Sequence, residues 1–263
     1  SSILIARPQG ISAAPAPIIM IHGAFCGGWA FDTFRKPFEA AGHLVTAPDL
    51  PGHGPGGEAT GLSMTSYAAA IAKLCGEQAA PPILVGHSMG GLVAQMAADL
   101  TPVAGLVLLA PSSPWGVPGQ SIEEGISAVS LFARGPYWLQ AIAPDRAITA
   151  QYSLDRMAPA AQEAVLSRMT PESGRALFEV LNWWLDPMMT TSVRNAGGAP
   201  VLTMAGDRDV INPAPTVAKT AQRLGGEYRE FKGMSHWLPG EPGWDEVAQT
   251  AYDWIGALPP RPA

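Results

Sequence analysis

Five short apolar runs, each closed by a turn signal, constrain the fold of this chain more than any other feature. Residues 18–21 precede His22-Gly23, residues 44–47 precede Pro48-Asp49, and residues 83–85 precede Gly86. Residues 106–110 precede Pro111, and residues 201–205 precede Gly206-Asp207. None alternates polar with apolar positions. Short continuous apolar strands are what a parallel sheet covered on both faces requires. Stretches suited to crossover helices lie between the runs, at residues 29–41, 92–100 and 213–224. The last is expected to open with Asn212 as N-cap and Pro213 at the first helical position. Strand and helix alternate, which predicts an α/β fold with a doubly wound, mostly parallel sheet.

The alternation breaks over residues 113–195, a stretch rich in Ala, Leu, Met and Gln. Tyr137, Trp138, Trp183 and Trp184 fall here, and Pro136, Pro144, Pro159, Pro171 and Pro187 divide it into short helices. No strand-length apolar run interrupts it. It reads as a helical cap, or lid, inserted into a core built from residues 1–112 and 196–263. A chain of 263 residues buries roughly 70–75% of its unfolded surface, so such a core needs no staples. The 29 glycines and 26 prolines are scattered without a period and read as turn punctuation, not disorder. Residues 259–263 are expected to fray.

Charge excludes several classes of function. The net charge is −6 and no basic face is indicated, which argues against nucleic-acid binding. The apolar runs fall far short of the roughly 20 residues of a membrane helix. No basic-then-apolar leader pattern opens the chain, so a cytoplasmic protein without membrane association is expected. Two cysteines, Cys26 and Cys75, give neither a disulfide framework nor metal spacing. No histidine or acidic cluster has ligand spacing and no G-x-G-x-x-G follows a strand, so no metal and no cofactor is expected.

The chemistry is carried by Gly86-His87-Ser88-Met89-Gly90-Gly91. It matches the G-x-S-x-G nucleophile elbow, with a strand before it and a helix after it. The serine of such an elbow sits on a strained turn, and Cβ atoms two residues to either side would meet backbone. A serine hydroxyl is a weak nucleophile, so it needs a base, and the base needs an orienting acid. Downstream of Ser88 the one histidine is His236, in a loop after a strand-like segment at residues 227–231. Open α/β sheets place their sites at such strand ends. Two aspartates follow the strand at residues 201–205. Asp209 is free to reach across towards His236, whereas Asp207 is closer to the strand end and suited to bonding its own backbone. An oxyanion hole needs two N–H donors, for which the amides of Met89 and Ala24 are the candidates.

Together these residues resemble the α/β-hydrolase superfamily, in its cap-bearing esterase and lyase branch. The resemblance rests on His22-Gly23-Ala24, Asp49-Leu50-Pro51-Gly52-His53-Gly54, the elbow, Gly206-Asp207-Arg208-Asp209 with Pro213, and Ser235-His236-Trp237. These span residues 22 to 237, in the family's order. The resemblance implies that Asp209 is the acid, that Ala24 and Met89 form the oxyanion hole, and that the cap follows the strand at residues 106–110. The Ser, His and Asp set predicts a carboxylic ester hydrolase acting through an acyl-enzyme, and the low charge density and aromatic cap predict small, largely hydrophobic esters, lactones included. A serine at the elbow argues against dehalogenases and epoxide hydrolases, which carry aspartate there. Gly23 and Trp237 stand where hydroxynitrile lyases carry Thr and Lys. A carbon–carbon bond hydrolase of the meta-cleavage type and a small-molecule receptor on the same fold are the alternatives.

Phe25, Trp115, Trp138, Trp183, Trp184 and Trp237 are candidates for the substrate pocket, with packing of the cap as the competing role for the cap tryptophans. The Asp49–Gly54 segment reads as a shaped turn, and His22 and His87 as loop-holding residues. Cys26 reads as a buried small hydrophobe and Cys75 as a helix-packing residue.

Overall fold

The computed structural model describes residues 15–119 and 135–259. Residues 260–263 of the expected frayed end, and residues 120–134 of the expected cap, lie outside the described residues. A six-stranded sheet forms the centre, in the order β2-β1-β3-β4-β7-β8, with every pair parallel. Its strands are β1 (Ile18–Ile21), β2 (Val45–Thr46), β3 (Ile83–His87), β4 (Gly105–Leu109), β7 (Val201–Gly206) and β8 (Glu227–Phe231).

Each inner strand is buried along its whole length and splits its side chains between two cores. Ile18, Met20, Ile83, Val85, Val107 and Leu109 face one side, with Phe31, Phe34 and Phe38 and with Val247 and Ala251. Ile19, Ile21, Leu84, Leu106 and Leu108 face the other, with Tyr67, Ile71, Leu92 and Val93. This explains why the strand sequences run apolar without alternation: neither face meets water. The outer strands behave otherwise. β2 is two residues long and Leu44 beside it is exposed, and β8 carries charged residues along most of its length. Short or charged edges discourage pairing with another chain.

The helices are α1 (Lys36–Ala40), α2 (Met64–Gly76), α3 (Met89–Ala98), α7 (Ala214–Leu224) and α8 (Trp244–Gly256). The helix expected over residues 29–41 is broken into a 3-10 turn, Gly28–Phe31, and the short α1. α2 carries no signal used in the sequence reading. Its Ser63 cap accepts the Ser66 N–H, and its Met64, Tyr67 and Ile71 face is buried. The expected cap on α7 is corrected. Pro213 occupies the N-cap position, while the Asn212 side chain donates to the Ala110 carbonyl at 2.8 Å. The loop it ties belongs to β4, and the proline's fixed φ serves one position earlier than expected. Gly225 ends α7 in the left-handed conformation, φ +65°.

Between β4 and β7 the described residues form three short helices, α4 (Arg146–Tyr152), α5 (Pro159–Leu166) and α6 (Gly174–Leu181), with 3-10 turns at Tyr137–Leu139 and Trp183–Leu185. The expectation of a strand-free stretch is corrected. β5 (Ala141–Ile142) and β6 (Glu172–Ser173) pair antiparallel in a two-residue ladder. Such a ladder is too short for periodicity to register, and half of it is polar.

Candidate active site

Ser88 stands between β3 and α3 with φ +53° and ψ −124°, a conformation that L side chains rarely adopt. The surroundings hold it there. Its N–H donates to the Leu109 carbonyl at 3.0 Å, and its carbonyl accepts from Gly91 and Ser112, each at 2.9 Å. The flanking glycines are sterically required. A Cβ on Gly86 would lie 2.5 Å from the Gly90 carbonyl oxygen, and one on Gly90 would lie 2.3 Å from the carbonyl oxygens of Ile21 and His22. α3 therefore approaches β1 as closely as backbone allows, and its first turn opens beneath the serine.

His236 lies in the loop after β8 and Asp209 in the loop after β7, both buried. His236 Nδ1 is 2.8 Å from Asp209 Oδ2, and its Nε2 is 3.0 Å from Ser88 Oγ. An aspartate carboxylate only accepts, so the Nδ1 side carries the proton and Nε2 faces the serine with its lone pair. Asp209 Oδ1 accepts the N–H groups of Ile211 and Asn212, at 2.8 and 2.9 Å, which fixes the carboxylate. Asp207 sits apart. Its Oδ1 accepts the Gly233 N–H at 2.6 Å, which ties the β7 loop to the β8 loop. The expectation that Asp207 bonds its own local backbone is thus corrected: the turn of that kind is built by Asp209.

Two further histidines brace the site as neutral rings. His87 Nε2 donates to the His236 carbonyl at 2.8 Å, and burial followed by the proximity of His236 lowers its pKa to about 3. His22 Nδ1 donates to the Gly23 carbonyl at 2.8 Å, while its Nε2 accepts the Leu50 N–H at 2.9 Å. Burial brings its pKa down to about 4. His22 thereby joins the loop after β1 to the Asp49–Gly54 segment, and Asp49 Oδ1 adds a bond from the Gly28 N–H at 2.8 Å. The loop residue Phe25 has φ +66°.

Sequence reasoning passed over Glu241. Both its carboxylate oxygens accept the Ser235 N–H, at 2.9 and 3.1 Å, next to His236. Burial, reinforced by the charge of Asp155, raises its pKa to about 7. Nothing in the local sequence marks this glutamate as different from a surface one.

A cavity of about 490 Å³ opens at Ser88 and His236. Gly23, Ala24, Phe25, Cys26 and Met89 line it from the core, Leu177, Val180, Leu181, Trp183 and Trp184 from the stretch between β4 and β7, and Trp237 from the loop that carries His236. Among the described residues, no Asp, Glu, Lys or Arg lines it. Four of the six pocket candidates therefore reach it. Trp115 and Trp138 do not: Trp115 packs edge-on against Trp183, and Trp138 packs against Tyr137 and Phe178. Cys26 lines the cavity, and burial pushes its thiol pKa well up, so it presents a neutral S–H. Cys75 packs in the core between α2 and the sheet. Among the described residues, no group of three His, Cys, Asp or Glu could hold a metal ion, and no helix is long and apolar enough to cross a membrane.

The profile of the Alpha/beta hydrolase family matches residues 18–250. A pyrethroid hydrolase of Sphingobium wenxiniae is 40% identical over 96 residues, which cover 35% of this chain and 34% of that one. Methylesterase 7 of Arabidopsis thaliana is 36% identical over 110 residues, covering 36% of this chain and 40% of that one. The matched stretch thus spans between a third and two fifths of the length of these curated relatives. A solved methylesterase structure from Arabidopsis superposes with a TM-score of 0.72 at 15% identity, covering 92% of this chain and all of that one. At that identity the likeness speaks to fold.

Proposed function

The chain belongs to the alpha/beta hydrolase family, and we propose that it is a serine hydrolase that cleaves carboxylic esters of small, largely hydrophobic substrates. One observation carries the reading: Ser88 Oγ, His236 and Asp209 form a continuous hydrogen-bonded relay, at 3.0 and 2.8 Å, at the mouth of a cavity whose described lining carries no Asp, Glu, Lys or Arg. The names of the relatives, a pyrethroid hydrolase and a methylesterase, support ester chemistry.

In this mechanism Ser88 Oγ attacks the ester carbonyl while His236 Nε2 takes its proton. Asp209 holds the Nδ1 proton in place and stabilises the imidazolium that forms. The carbonyl oxygen becomes an oxyanion facing the N–H groups of Ala24 and Met89. Neither amide donates to a protein acceptor among the described residues. Met89 is also the first residue of α3, where the helix leaves its N–H groups free and favours negative charge. His236 then returns the proton to the leaving alcohol, leaving an acyl group on Ser88. Water enters, gives its proton to Nε2 and cleaves the acyl-enzyme, and Ser88 recovers its hydrogen.

The stretch at residues 113–195 acts as a cap in this reading. Its support is the apolar wall that Leu177, Val180, Leu181 and Trp183 give the cavity. A buried charge without a partner costs several kcal/mol, so a wall of this kind favours neutral acyl and alcohol groups. Ser88→Ala tests the proposal. Turnover of p-nitrophenyl butyrate is expected to fall by roughly 10⁴-fold or more. Retained activity in a folded Ser88→Ala protein would refute it.

A further inference from the structure

Glu172 belongs to β6, in the stretch between β4 and β7, yet its side chain is completely buried against the core. Its Oε1 accepts the Tyr67 O–H and the Ser173 N–H, each at 2.7 Å. Its Oε2 accepts from His53 Nε2 at 2.9 Å and, at 3.4 Å, from the Phe25 N–H. From the same segment, the Thr170 N–H donates to the Phe25 carbonyl at 2.9 Å. Residues 170–172 therefore hold both backbone groups of Phe25. That residue follows Ala24 and sits at φ +66°, a backbone shape a bulky residue keeps only when its surroundings impose it.

We propose that Glu172 is a positioning residue for the oxyanion hole: anchored by His53 and Tyr67, its carboxylate holds the Phe25 N–H and so the turn that aims the Ala24 N–H at the reacting carbonyl. The catalytic shape of this turn then exists only while the β6 segment is seated on the core. The inference rests on the ester-hydrolase reading, and it names a residue in no known contact with substrate.

A lone carboxylate here would oppose the developing oxyanion. His53 removes that objection. Its Nδ1 faces the Pro51 carbonyl at 3.1 Å and its Nε2 faces Glu172, so both ring nitrogens meet acceptors, an arrangement that favours the protonated ring. Burial by itself would lower its pKa, but the hydrogen bond and charge of Glu172 overrule burial and hold it above the ordinary value. With the ring protonated, the pair carries no net charge and still offers the turn an oriented acceptor.

Glu172→Gln isolates the grip. Tyr67 and Ser173 both donate, so they keep the amide oxygen at the Oε1 position. The amide nitrogen then falls at the Oε2 position. There it can donate to a neutral His53, whose Nδ1–H still serves Pro51, but it faces the Phe25 N–H donor to donor. Packing and net charge are retained and only the Phe25 bond is lost. The expected result is a folded variant whose kcat falls 10- to 100-fold with KM within threefold, because a displaced oxyanion donor costs transition-state binding alone. The His53 pKa, read by NMR, should fall in the same variant. An unchanged kcat, or a raised KM with kcat intact, would overturn the proposal. Hydrogen exchange of the wild-type Phe25 amide is a second measurement that needs no variant and no substrate. Protection of at least 100-fold is expected, and exchange at the unprotected rate would overturn the proposal even if the ester-hydrolase reading holds. If wild type turns over no ester, that reading fails separately, and the exchange result still judges the grip.

Discussion

Asp209 presents one oxygen to the imidazole and the other to the Ile211 and Asn212 amides. Asparagine can keep the second set of bonds but not the first. In Asp209→Asn the side-chain oxygen stays with the two amides, so the NH₂ group faces His236 Nδ1 and forces the other tautomer. Nε2 then carries a proton and cannot take the serine's. We expect kcat/KM for a p-nitrophenyl ester to fall by roughly 10³–10⁴. Asp207→Asn, which touches only the Gly233 amide, should stay within about fivefold of wild type. The reverse order would reassign the acid. Glu241 gives a pH prediction at the same scale. Its pKa is 4.5 ordinarily and about 7 in the fold, so between those values the folded state binds more protons than the unfolded chain. The stability this group contributes is complete below about pH 4.5 and is lost as pH rises through 7. Glu241→Gln removes that loss. In urea unfolding, the variant should gain on wild type by on the order of 1–3 kcal/mol between pH 5 and pH 8. A difference independent of pH would contradict the shift. The proposed base and nucleophile are legible in the sequence because Ser88 has a motif around it and His236 has no downstream rival. Glu172 and Glu241 were not, since a glutamate destined for the interior carries no local mark of it.

Among the elements, the contact between β1 and α3 sets the height of Ser88. A Cβ on Gly90 would stand 2.3 Å from two carbonyl oxygens of β1 and its loop, and those cannot rotate away. Gly90→Ala should cost about 3 kcal/mol in urea unfolding. Gly225→Ala, left-handed at the end of α7 but with open space around it, should cost only about 1 kcal/mol. Similar costs at the two positions would mean that the β1–α3 approach is looser than these distances require. The inner strands could be read directly from sequence because burial on both faces leaves an unbroken apolar run. The short elements could not. α1 and the β5–β6 ladder are fixed by tertiary contacts and not by periodicity, and the Ser63 cap of α2 stands among Thr60, Thr65 and Ser66, so sequence does not single it out. At α7 the helix is legible within a residue, but its expected cap, Asn212, is claimed by a long-range bond to Ala110.

Across the whole molecule, the site is assembled from the carboxyl ends of β1, β3, β7 and β8, and its cavity is closed by a segment that the sheet does not contain. The low charged content of the chain, 14% against about 25% in ordinary globular proteins, has a physical counterpart in two apolar cores and a cavity that no charged residue lines among the described residues. Aromatic residues of the stretch between β4 and β7 divide between lining and packing in a way sequence could not resolve. Trp183 and Trp115 are neighbours, yet only the first reaches the cavity. In the proposed mechanism Ser88 is the nucleophile activated by this assembly. A p-nitrophenyl alkylphosphonate, followed by peptide mass spectrometry, tests it most directly. One phosphonyl group per chain is expected, on Ser88, with activity lost in proportion. Label on any other residue, or a fully active protein after Ser88 is labelled, would contradict it.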